Sequence, residues 1–126
     1  MNSITLKPEI RELYNLNAFI LDKLPQENLQ VNLIVEEIFV NIVDYSKTDF
    51  ITVNVEYENE TLTLEFIDNG IQFNPLSKED LKTPESIDEA QIGGLGILLT
   101  KEIADELEYQ HENGENHLKI IKKVEQ

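Results

Sequence analysis

Residues 29–46 read "LQVNLIVEEIFVNIVDYS", a mostly aliphatic run with a carboxylate and an amide set among its apolar residues. Pro25 ends the helical pattern before it, so a long helix is expected from Gln26 to about Ser46. An unpaired buried carboxylate costs several kcal/mol, on the order of what a whole domain has to spare, so a chain that keeps one has a use or a partner for it. At about 100° per residue, Glu37, Asn41 and Asp44 fall within an arc of roughly 60°, while Glu36 points about 100° away from Glu37. Two meanings stand side by side. The stripe is either the solvated edge of a half-exposed helix, or a carboxylate base beside an amide whose carbonyl oxygen can ligate a hard cation such as Mg²⁺.

Outward from this helix, the chain orders itself simply. Ser3 to Leu6 alternates like a short strand, and Pro8 precedes "EIRELYNLNAFILDKL" (9–24), whose apolar residues recur at helical spacing. After the long helix, "FITVNVEY" (50–57) and "TLTLEFID" (61–68) alternate strictly, with Glu58, Asn59 and Glu60 between them suiting a hairpin. From Gly70 to about Ile92 no period is visible, and so long a patternless stretch in a compact domain points to a lid or binding segment. "GGLGILLTKEIADEL" (93–107) opens on glycines and continues as an amphipathic helix, and "LEYQHENGENHLKIIKKV" (107–124) reads as a hairpin turning at Asn113-Gly114. The expected fold is α+β: a two-layer sandwich in which a mostly antiparallel or mixed sheet of about five strands carries three helices on one face. Residues 1–126 are expected to form one domain.

Composition narrows the function. Among 126 residues, 10 basic side chains stand against 25 acidic ones for a formal charge of -15, which repels nucleic acid phosphates and anionic lipid headgroups. Direct contact with nucleic acid or membrane is therefore not expected. With no cysteine there is no disulfide, thiol nucleophile or thiolate metal site, and His111 and His117 alone are a poor zinc set. No apolar stretch reaches the roughly 18–20 residues of a membrane span, and Met1 to Lys7 lacks the form of a secretory leader, so a soluble, cytoplasmic protein is expected.

Two further places could carry chemistry. Asp68 closes its strand in phase with Leu62, Leu64 and Phe66, so its carboxylate points to the apolar side. Asn69-Gly70 beside it suits an Asx-capped turn. It equally suits recognition of a ligand group such as an adenine amino, with Gly70 admitting the ligand close to the backbone. Gly93, Gly94 and Gly96 stand before a helix, where free N–H groups and the positive dipole end can cradle phosphate, although glycines there can also be simple flexibility. Neither the dinucleotide fingerprint nor the lysine-bearing phosphate loop is present.

Taken in order, "EEIFVNIVDYS" (36–46), "DNGIQFNPL" (68–76) and "GGLGILLTK" (93–101) resemble the N box and the two glycine boxes of the GHKL-type (Bergerat fold) ATPases, shared by gyrase and sensor histidine kinases. Within that superfamily the chain is similar to the stand-alone anti-sigma factor serine/threonine kinases, over nearly its whole length. The resemblance implies ATP and Mg²⁺ as cofactors. It implies Glu37 as general base and Asn41 as the Mg²⁺ ligand bridging the triphosphate. Asp68 would accept from the adenine amino group and Gly70 would let the base in, while Gly93, Gly94, Leu95 and Gly96 would offer amides to the phosphates. Residues from about 71 to 92 match the family's ATP lid.

The resemblance further implies transfer of the γ-phosphoryl to a serine or threonine of an anti-anti-sigma partner of the STAS type, alternating with capture of a sigma factor. A homodimer is expected on the same ground. The chain departs from many relatives in two places. Leu95 stands where many have Arg between the glycines of the second box, and Tyr45-Ser46-Lys47 replaces a His or Tyr followed by Ala and an aromatic. Competing readings are a sensor histidine kinase catalytic domain, a non-catalytic switch that binds ATP or only a partner, and a plain structural module. No helical dimerisation segment carrying a histidine precedes the N box, which disfavours the first.

Overall fold

The computed structural model describes residues 2–74 and 100–125. Strand β1 (Asn2–Leu6) is followed by a 3-10 turn (Ile10–Glu12), helix α1 (Leu13–Leu21), helix α2 (Leu29–Tyr45), and strands β2 (Ile51–Glu58), β3 (Thr61–Asp68), β4 (Glu106–Glu112) and β5 (Glu115–Lys123). One five-stranded sheet runs in the order β1-β2-β3-β5-β4. Every pairing in it is antiparallel. The α+β sandwich expected from the pattern is the one found.

Alternation explains the sheet's inner face. Ile51, Val53 and Val55 of β2, Leu62, Leu64 and Phe66 of β3, and Leu118 and Ile120 of β5 are all buried. Register stacks them into rows, Val53 opposite Phe66 and Phe66 opposite Leu118. Against these rows lie Leu16 and Ile20 of α1 and Val31, Ile34, Val35, Ile38, Phe39 and Ile42 of α2, in one continuous core. Each such side chain contributes about 1.5–3 kcal/mol when fully buried, so the tertiary contact rather than helix propensity holds α2. The opposite face is polar, with Thr52, Asn54, Glu65 and Lys119 half-buried or exposed.

Element ends differ from the sequence pattern by a few residues, each for a local reason. The first helical stretch begins as a 3-10 turn and becomes α-helical only at Leu13. Helix α2 begins at Leu29 because the Asn28 side chain accepts the Val31 N–H at 3.0 Å, a cap that Pro25 alone does not supply. At its far end Ser46 N–H still reaches Ile42 O, and Lys47 then turns left-handed with φ 57°. The helical pattern of 93–107 stops earlier than its periodicity suggests. Residues 100–103 are helical, but Asp105 N–H donates to Ile121 O and the Asp105 carboxylate accepts from Lys123 N–H, which draws the chain into β4. Both expected hairpins form, with Asn59 and Glu60 (φ 53° and 60°) and Asn113 and Gly114 (φ 54° and 77°) at their turns.

Candidate functional site

The apolar rows of the sheet end in a polar one. Register sets Ile51, Asp68 and Asn116 side by side on β2, β3 and β5, and the last two are 2% and 3% exposed. Asp68 is inward for the reason its strand predicts, and it finds the donors an inward acid requires. Ser46 Oγ donates to Asp68 Oδ1 at 2.5 Å, Gly70 N–H at 2.9 Å and Asn116 Nδ2 at 3.0 Å. The Gly70 bond is the Asx turn, so the structural explanation of Asp68-Asn69-Gly70 holds for one oxygen of the carboxylate. All three donors use Oδ1; among the described residues none reaches Oδ2.

Ser46 ties the C-terminal end of α2 to this acid. Its carbonyl accepts the Ile71 N–H at 2.8 Å while its hydroxyl holds Asp68. A Cβ on Gly70 would stand 2.1 Å from both oxygens of Ser46, so glycine is required here by the crossing of the two chain segments. The neighbouring residues reinforce the crossing. Thr48 Oγ1 donates to Asn69 Oδ1 at 2.7 Å and accepts the Asn69 N–H at 3.0 Å, and Asp49 N–H donates to the same Asn69 oxygen.

Along α2 from that junction, at a rise of about 1.5 Å per residue, Asn41 lies about 7.5 Å and Glu37 about 13.5 Å back from Ser46. The polar stripe straddles the edge of the buried arc. Asn41 is 3% exposed, Glu37 is half-buried and Asp44 is exposed. Asn41 Nδ2 donates to Glu37 Oε2 at 3.2 Å, which turns the Asn41 carbonyl oxygen away from the carboxylate. The pair is therefore more than a solvated face: a buried amide is oriented by an acid one turn earlier, and its carbonyl oxygen is not the atom that meets that acid. A hard cation takes such neutral oxygen donors, so the residues fit Mg²⁺.

Helix α2 thus carries Glu37 and Asn41, and its C-terminal end is bonded to Asp68. Gly93, Gly94, Leu95 and Gly96, and the expected lid beyond residue 74, lie outside the described residues. Sequence reasoning missed Asn116 and Ser46. Asn116 was visible in principle, since it stands in phase with Leu118 and Ile120 on the buried side of its strand. Ser46 was noticed only as a departure from a motif. Tyr109 closes the site from β4, its hydroxyl donating to Asn116 Oδ1 at 2.5 Å. Burial pushes the Tyr109 phenol above its ordinary range; the Asp68 charge adds to this, and the Phe73 N–H opposes it. Tyr45 and Phe73 meet with ring centroids 5.7 Å apart at the rim.

Among the described residues no group of three or more His, Cys, Asp or Glu side chains could hold a metal, and no helix is long and apolar enough to cross a membrane. Comparison with known proteins agrees with the geometry. A serine/threonine-protein kinase, BtrW, of Bordetella bronchiseptica is 29% identical over 94 residues, which is 71% of this chain and 66% of that protein, just under two thirds of its length. The solved structure of the Acinetobacter baumannii histidine kinase AdeS shares the fold, with a TM-score of 0.57 at 10% identity, over 100% of this chain and 69% of that one. Residues 9–122 match the family described as the histidine kinase-like ATPase domain, and with nearly the whole chain matched and the buried acid and helix stripe in place, this protein belongs to that family.

Proposed function

We propose that the protein is an ATP-dependent serine/threonine protein kinase of the anti-sigma factor type, acting on a small STAS-type partner and exchanging that partner for a sigma factor. The observation that carries this reading is the state of Asp68: one carboxylate oxygen is saturated by Ser46, Gly70 and Asn116, while among the described residues no donor reaches the other, which we assign to a ligand. A purine 6-amino group is a donor of the right kind for it. The name of the Bordetella relative, a serine/threonine-protein kinase, supports the choice of acceptor.

In this reading ATP lies along α2 with its base at Asp68. Asn41 holds Mg²⁺ through its carbonyl oxygen, and the ion when bound offsets charge on the phosphates. Glu37 receives the proton of the attacking serine or threonine hydroxyl as that oxygen bonds to the γ-phosphorus and ADP leaves. The phosphate-binding amides are assigned to Gly93, Gly94, Leu95 and Gly96. The strong negative charge is compatible with a nucleotide held by amides and a metal, and it disfavours direct contact with nucleic acid or membrane. A cytoplasmic location and a homodimer complete the proposal.

The test is incubation with γ-labelled Mg-ATP and a STAS-type protein encoded beside this one. Acid-stable label on the partner's serine or threonine, lost in Glu37→Ala while nucleotide affinity is kept, is the expected result. Acid-labile label on a histidine would favour the histidine kinase reading. Tight ATP binding without any transfer would mean a non-catalytic switch.

A further inference from the structure

The Asn116 side chain is 3% exposed and makes four hydrogen bonds. Its Nδ2 donates to Asp68 Oδ1 at 3.0 Å and to Ile71 O at 2.7 Å. Its Oδ1 accepts from Phe73 N–H at 3.0 Å and from the Tyr109 hydroxyl at 2.5 Å. An asparagine amide offers two donors and one two-lone-pair acceptor, so all of its capacity is used. The backbone partners also settle which way the amide faces, since a carbonyl can only meet Nδ2 and an N–H can only meet Oδ1. The remaining Nδ2 hydrogen is thereby aimed at Asp68.

Nothing of Asn116 is left over to touch a ligand; whatever it does, it does through others. The segment 70–73 is fastened to the Asp68 carboxylate from several sides: Gly70 N–H to Asp68, Ile71 N–H to Ser46 O, and both Ile71 and Phe73 to Asn116. Buried polar networks in which every member is satisfied behave as one cooperative unit, and moving one member disturbs the rest.

We propose that Asn116 is a positioning residue that locks the Asp68 carboxylate, with Oδ2 alone facing the ligand, and couples that orientation to the backbone of residues 71–73. The inference rests on the ATP-binding reading above. Discrimination between purines at position 6 then depends on a residue that never contacts the purine.

Titration with ATP and with ITP, whose hypoxanthine carries a carbonyl in place of the 6-amino group, tests it. The wild-type protein is expected to favour ATP by at least about tenfold, the loss that follows from setting an acceptor against an acceptor. Asn116→Leu is expected to bring the two affinities within about threefold, while Leu118→Ala, two residues further along the same face of β5, lowers stability and leaves the ratio unchanged. A folded Asn116→Leu protein that keeps the wild-type ratio overturns the proposal and leaves the ATP reading intact. A wild-type protein that binds neither nucleotide overturns the ATP reading, and this inference with it.

Because removing a buried amide endangers folding, a second measurement uses the unaltered chain. Saturating ATP is expected to slow hydrogen exchange at the Phe73 amide at least about fivefold more than saturating ITP, through the network that joins it to Asp68. Equal protection by the two nucleotides overturns the coupling.

Discussion

Strand β3 is two different objects along one alternation. Leu62, Leu64 and Phe66 point inward and meet only the apolar rows of β2, β5 and the helices, whereas Asp68, two residues further and equally buried, meets Ser46, Gly70 and Asn116. The pleat fixes direction without regard to chemistry. An inward leucine is satisfied by any apolar neighbour, but an inward carboxylate needs donors at set distances. Here those donors come from the end of α2, the turn after β3 and the partner strand β5. The apolar part of β3 serves stability, its last residue serves recognition in the proposed function, and the two should separate by mutation.

The largest separation is expected from the apolar part. Phe66→Ala should cost about 3–5 kcal/mol by urea denaturation, enough to threaten the fold. Unchanged stability would mean that Phe66 is not in the core row where it is found. Next comes the polar end. Asp68→Asn keeps an acceptor for Ser46, Gly70 and Asn116 but sets a donor against the base, so ATP affinity should fall about 10- to 150-fold, the equivalent of about 1.5–3 kcal/mol for a hydrogen bond to a charged group. Melting temperature should move little. Calorimetric titration beside thermal unfolding would show both, and a large loss of stability with affinity retained would reverse the assignment.

A smaller effect sharpens the contrast at the far end of the same strand. The β2-β3 turn places Glu60 at φ 60°, where the β4-β5 turn has Gly114 at φ 77°. Glu60→Gly should raise stability by about 0.5–1 kcal/mol in urea, by relieving a left-handed non-glycine residue, and should leave nucleotide affinity alone. The smallest effect is in pH. The Tyr109 phenol is raised in the folded protein, so the unfolded chain gives up its proton first. Its contribution is full below the ordinary tyrosine value of about 10 and is lost as pH rises from there through the folded value. The urea midpoint should decline less steeply above pH ~10 in Tyr109→Phe than in the wild-type protein.

Much of this was legible in the chain. Strict alternation in 50–57 and 61–68 determined the central hairpin, Asn113-Gly114 determined the last one, and the aliphatic run of 29–46 determined the long helix that covers them. Glu37, Asn41 and Asp68 could be picked out because each is a polar residue in an apolar period, and period is a local property. Asn116 obeys the same rule but stands in a strand rich in charged residues, where three apolar positions are too few to make one polar one conspicuous.

The sequence by itself determined which residues point inward, because the helical and strand periods are set by backbone geometry within a few residues. Only the tertiary structure decided what the inward polar groups meet. That Ser46, Gly70 and Asn116 all close on one oxygen of Asp68 depends on segments up to 48 residues apart. Hydrogen bonds have a range of about 3 Å, so they are fixed only once strand register and the helix-to-sheet crossing have been set.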